Sequence, residues 1–140
     1  MQQLHVAAWR RDVSTDVSSV QFAVLSVLDR RPGSSQAELG NELDLDRSTI
    51  ADLVGRMVGR GLLTRTTDDI DQRRRVLALT AAGEAMVTEL QPRVAALEEV
   101  LLAGLRDAER AELRRLLRIA LTAAESSGLL VGVTGASRER

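Results

Sequence analysis

DLDRSTIADLVGRMVGRGLLTRTTDDIDQRRRVLALT, residues Asp44 to Thr80, carries the local signals that set the fold of this chain. It opens on a turn, Asp44-Leu45-Asp46, followed by Arg47-Ser48-Thr49-Ile50, so Asp46 is placed to cap a helix whose first turn is polar and exposed. Over residues 46–60, Ile50, Leu53, Val54, Met57 and Val58 recur at intervals of three and four and give one apolar side. Arg47, Ser48, Ala51, Asp52, Gly55, Arg56 and Gly59 fall on the other. Gly61 stands where a left-handed C-terminal cap is expected. Residues 62–66 and 74–79 then read as two short strands around a polar tip, and Thr80 is placed to cap the next helix.

Upstream, residues 17–30 carry Val17, Val20, Phe22, Val24, Leu25, Val27 and Leu28, too long a run for one strand, and Arg31-Pro32-Gly33 closes it. This predicts a buried helix. Ser34 or Ser35 can cap a short helix with Glu38 completing a capping box, with Ala37, Leu39 and Leu43 facing inward. Downstream, a long helix starts at Ala81, with Gly83 and Glu84 in its first turns and Pro92 near its middle, where a kink is expected. A second long helix covers residues 107–125. The fold class is therefore mainly α with a small β-hairpin wing. A winged helix-turn-helix over residues 17–80 is intertwined with a helical dimerisation region formed by residues 1–16 and 81–140.

The two long helices carry more apolar surface than one small subunit needs. A homodimer sharing Leu90, Val94, Leu97, Leu101 and Leu105 is expected, the alternative being an intramolecular helix pair. The tail, residues 126–140, is rich in Gly and Ser and reads either as disordered or as docked on the partner subunit.

Composition removes several classes of function. With 140 residues and 44% apolar content the chain suits one domain. There is no cysteine and one histidine, so no disulfide, thiolate metal site or multi-histidine zinc site is expected, and no cofactor. No glycine loop to cradle phosphate and no carboxylate pair at catalytic spacing points to an enzyme. No apolar run is long enough to cross a bilayer and no secretory signal opens the chain, so a cytoplasmic location without membrane contact is expected. The net charge is −1, yet residues 47–75 hold seven arginines against four aspartates. A local basic face is thus possible on a weakly acidic protein, with double-stranded DNA as the natural partner.

The order of elements and several motifs resemble the MarR family of dimeric transcription regulators over residues 17–121. The motifs are Leu45-Asp46-Arg47-Ser48-Thr49-Ile50, Gly61-Leu62-Leu63-Thr64-Arg65, Asp71-Gln72-Arg73 in the wing, and Leu79-Thr80 with Gly83 beyond. The resemblance implies a recognition helix in the major groove of a pseudo-palindromic operator and the wing arginine, Arg73, in the minor groove with Asp71 orienting it. It also implies terminal helices that pair two subunits. A repressor released by a small aromatic or anionic effector is the commonest form. The chain departs from the pattern in a short first helix, in lacking a proline near Asp69, and in having Gln72 where a basic residue is common; Arg74 and Arg75 can offset that lost charge.

The candidate DNA-binding residues are Arg47, Ser48, Thr49, Asp52, Arg56, Asp71, Arg73 and Arg74. Each has a plainer reading. Arg73 is either inserted in the minor groove or a solvated tip charge. Arg47, Ser48 and Thr49 contact the duplex, cap the helix, or do both. Arg56, Arg60 and Arg65 contact phosphate or form surface ion pairs, for instance with Asp52 or Asp69. His5 and Trp9, four residues apart, together with Phe22, are candidates for the effector site or for interface packing. Against the regulator stands a winged-helix protein-interaction module without direct DNA function, which would scatter Arg47, Arg56 and Arg73 over unrelated surfaces.

Overall fold

The computed structural model describes the backbone of residues 2–126, and the side chains of residues 6–116 and of Ile119. Six helices and one hairpin follow in the order α1 (Gln2–Asp12), α2 (Ser19–Arg30), α3 (Gln36–Leu43), α4 (Arg47–Gly59), β1 (Leu63–Thr67), β2 (Arg75–Leu79), α5 (Ala81–Leu101) and α6 (Asp107–Ser126). The chain divides into two compact units, Met1–Glu98 and Glu99–Arg140. The tail beyond Ser126 lies outside the described residues, as does the His5 side chain.

Caps set the boundaries of the first unit. Ser18 opens α2 by accepting a hydrogen bond from Gln21 N–H while the Gln21 side chain accepts from Ser18 N–H, a full capping box. Ser35, the second of the two serines considered, does the same for α3 with Glu38. α4 ends in a Schellman motif: Leu62 N–H donates to the Met57 carbonyl and Gly61 N–H to that of Val58, with Gly61 at φ +72°. The turn between α3 and α4 is built on the same plan. Leu45 N–H donates to the Gly40 carbonyl across Asp44, which sits at φ 53° in the left-handed region that short polar side chains tolerate.

The core of this unit draws on every one of its elements, from Trp9 of α1 and Val13 just after it to Leu90 and Leu97 of α5. α2 lies at its centre, with Val24, Leu25 and Leu28 almost completely excluded from solvent. Each such side chain contributes about 1.5–3 kcal/mol by leaving water. Two positions on the predicted inward faces differ: Val20 is exposed and so is Ala37. Val20 lies in the first turn of α2, and Ala37 looks out over the groove described below. Leu90 and Leu97, expected at a shared interface, are buried within this unit itself, whereas Val100 and Leu101 are exposed.

β1 and β2 pair antiparallel with Leu63 opposite Leu79 and Thr67 opposite Arg75. The hairpin is moored to the residues before α3, because Leu77 N–H donates to the Ser34 carbonyl and Gly33 N–H to that of Leu77. At the other end Thr80 caps α5, its Oγ1 accepting from Gly83 N–H and donating to the Gly61 carbonyl. A Cβ on Gly83 would overlap the Leu62 carbonyl oxygen, so only glycine permits α5 to start this close to the end of α4. α5 runs through Pro92 as one helix.

In the second unit, Glu109 caps the start of α6 by accepting from Arg106 N–H, and Arg110 pairs with Glu99 at 2.9 Å. Leu116 and Ile119 are exposed on α6. Among the described residues, no helix is long and apolar enough to cross a membrane.

Candidate nucleic-acid interface

The first turn of α4 is organised by one carboxylate. Asp46 accepts from Thr49 N–H at 2.9 Å, from the Thr49 hydroxyl at 2.6 Å and from the Ser48 hydroxyl at 2.8 Å. The Thr49 hydroxyl, the Thr49 N–H and the Ser48 hydroxyl, in that order, hold the Asp46 carboxyl down at about 2. An ionised carboxylate only accepts, so both hydroxyl protons point at Asp46 and the free lone pairs of Ser48 and Thr49 are what remains for a ligand. Arg47 is exposed beside them and makes no ion pair among the described residues. One helical turn on, Asp52 and Arg56 pair with each other at 2.8 Å, both well exposed.

The wing tip is held by its own backbone and one aspartate. Asp68 N–H donates to the Arg74 carbonyl, while Asp68 Oδ1 accepts from the N–H groups of Ile70 and Asp71. Those two donors, Ile70 first, lower the Asp68 carboxyl below its usual range. Asp71 accepts from Arg73 N–H at 3.0 Å, so it fixes the backbone under Arg73 rather than its guanidinium. Arg73 is exposed and pairs with no acid among the described residues. Ile70, at the tip, is 98% exposed.

Arg74 behaves differently from its neighbours. Its Nη2 lies 3.0 and 2.9 Å from the two oxygens of Glu38, and its Nη1 lies 3.4 Å from Asp68. Expected to contact DNA, it is engaged inside the chain, because Glu38 is the capping residue of the adjacent helix and stands within its reach. Arg75 donates to Thr67 Oγ1 across the hairpin.

These pieces surround a concave groove of about 490 Å³ between α3, the start of α4 and the wing. Arg47, Arg73, Arg74 and Arg75 line it together with Asp71, Ser35, Gln36 and Asn41. Arg47 and Arg73, 26 positions apart in sequence, thus share one surface, whereas Arg56 does not line it. Gln36 and Asn41 escaped the sequence reading, which gave Ser35 a capping role and Arg75 a share in the wing's charge without placing either on this groove. The opposition of Thr67 and Arg75 is set by hairpin register, and the approach of α3 to the wing depends on the mooring of β2 at Ser34.

The expected effector aromatics are placed in the core. Trp9 and Phe22 are buried, their rings 5.8 Å apart at 50°, and the indole N–H donates to the Val17 carbonyl at 2.7 Å. The two rings thus pack against each other in the core.

A family model for MarR matches residues 15–75, from the α1–α2 junction to the start of β2. The transcriptional regulator HosA of Escherichia coli O111:H- is 32% identical over 116 residues, covering 83% of this chain and 85% of HosA. The chain belongs to the MarR family. Its fold superposes on the PcaV transcriptional regulator from Streptomyces coelicolor in complex with its natural ligand, with TM-score 0.84, 41% identity, and coverage of 88% of this chain and 87% of PcaV. It also superposes on a single-residue variant of MarR from E. coli complexed with operator DNA, with TM-score 0.77, 25% identity, and coverage of 86% and 87%. As a MarR-family protein the chain is a DNA-binding transcriptional regulator built on a winged helix.

Proposed function

We propose that this regulator is a homodimeric repressor in which each copy sets the first turn of α4 in the major groove and Arg73 of the wing against the adjacent minor groove of a pseudo-palindromic operator. The observation that carries this reading is the shared groove, in which Arg47 and Arg73 face the same concavity, each without an acidic partner among the described residues. Two unpaired guanidinium groups on one concave surface concentrate positive potential where a phosphate backbone must pass. Ser48 and Thr49, steadied by Asp46, are the candidates for base edges. Asp71 supports Arg73 through the backbone. Asp52 and Arg56, already joined to one another, are assigned to the rim. The exposed Val100, Leu101, Leu116 and Ile119 are candidates for burial between copies, and the protein acts in the cytoplasm, where its DNA is.

Release by a small aromatic or anionic effector is part of the proposal, supported by the ligand-bound state of PcaV. The test is a gel-shift titration of Arg73→Ala against a duplex selected from genomic fragments. Binding weakens by roughly tenfold or more, about 1.4 kcal/mol, while size-exclusion elution and thermal unfolding stay as in the wild type. Unchanged affinity overturns the assignment of the wing.

A further inference from the structure

We propose that Glu38, Arg74 and Asp68 form a lock that fixes the wing against α3, making Arg74 a positioning residue and leaving its neighbour Arg73 to meet the duplex. The inference rests on the reading of this face as a DNA interface. Three consecutive arginines have three different settings. Arg73 points to solvent, Arg75 reaches Thr67 of its own hairpin, and Arg74 spans from the wing to a helix 36 residues away in sequence. Its guanidinium is shared by two carboxylates, so it adds no positive charge to the groove unless it abandons both.

Glu38 is a fixed anchor for this purpose. Its Oε2 accepts from Ser35 N–H at 2.7 Å, and that bond, followed by Arg74, lowers its carboxyl below the usual range. The base of the hairpin is tied by backbone bonds at Ser34, but the tip projects past them. Among the described residues, the hydrogen bonds that leave tip residues 68–74 for the helix-turn-helix are those from Arg74 to Glu38. A tip held in place before DNA arrives loses less conformational entropy on binding. An exposed pair of this kind contributes little to global stability, so its effect is on where the tip stands.

Glu38→Gln and Arg74→Gln, made in the full chain, test the lock. Glutamine at 38 still caps α3, because its amide oxygen can accept from Ser35 N–H. The two variants change net charge in opposite directions. If only charge mattered, DNA affinity would rise in Glu38→Gln and fall in Arg74→Gln. The lock predicts the same direction in both: affinity falls by roughly two- to fivefold per subunit, the double variant is no worse than either single, and the log–log salt slope is unchanged. In the DNA-free protein the amides of Ile70, Asp71 and Arg73 exchange faster in both variants while those of α4 do not.

Tighter binding by Glu38→Gln, with a salt slope reduced by about 2 per dimer in Arg74→Gln, would assign Arg74 to phosphate and overturn the proposal. Wild-type exchange at the tip in both variants would overturn it as well. Faster exchange with unchanged affinity in both variants also overturns it. If Arg73→Ala then binds as the wild type does, the reading of the wing falls too; if Arg73→Ala weakens binding, only the lock falls.

Discussion

In the proposed interface Asp46 determines what Ser48 and Thr49 can offer, because both hydroxyls are bound to its carboxylate. With both hydroxyl protons directed at Asp46, these side chains present acceptors, which suits the exocyclic amino groups of adenine and cytosine and not the acceptor edges of guanine or the thymine carbonyl. A base-by-base substitution of the selected operator is expected to find adenine or cytosine at the positions whose preference relaxes in Ser48→Ala, at a cost of about 1–3 kcal/mol per wrong base. A preference for guanine there would contradict the hydroxyl orientation. The same carboxylate links folding to pH. Its folded value of about 2 lies below the ordinary aspartate value, so its stabilising effect is complete above about pH 4 and is lost as pH falls toward 2. Acid titration of Asp46→Ala followed by circular dichroism is expected to lack that portion of the acid loss. Ile70 gives a contrasting case. At 98% exposure it has no burial to lose, so Ile70→Ser keeps the wild-type melting temperature.

Among the elements, α4, the hairpin and α5 meet closely at Gly83. Thr80 bridges Gly61 to Gly83, and the missing Cβ of Gly83 is the space that the Leu62 carbonyl occupies. Gly83→Ala forces backbone against side chain, and denaturant unfolding is expected to show a loss of about 1–3 kcal/mol; no loss would mean that the α4–α5 junction yields freely. Much of this was legible in the sequence. Asp46, Gly61, Thr80 and the apolar side of α4 could be read because capping and helical periodicity are local rules, and boundaries fell within a residue or two of those expected. The bond between Arg74 and Glu38 could not, since it depends on how the hairpin is moored to Ser34. Nor could the burial of Leu90 and Leu97 within one subunit: an apolar helix face states that it will be covered, not by what.

On the whole-molecule scale, the chain is a MarR-family regulator whose net charge of −1 conceals a basic concavity. Its weak overall charge limits indiscriminate binding, while Arg47 and Arg73, which have no acidic partner among the described residues, supply the local potential. In the proposed complex two copies apply their α4 tips and wings to one side of a duplex, half-sites being about one helical turn apart. The most direct measurement is the affinity for the selected operator before and after inserting about five base pairs, roughly half a turn, between its half-sites. With both copies on one face, the insertion is expected to reduce binding to that of a single half-site, and about ten inserted base pairs to restore the facing but not the distance, leaving it equally weak. Affinity unchanged by the half-turn insertion would contradict that arrangement.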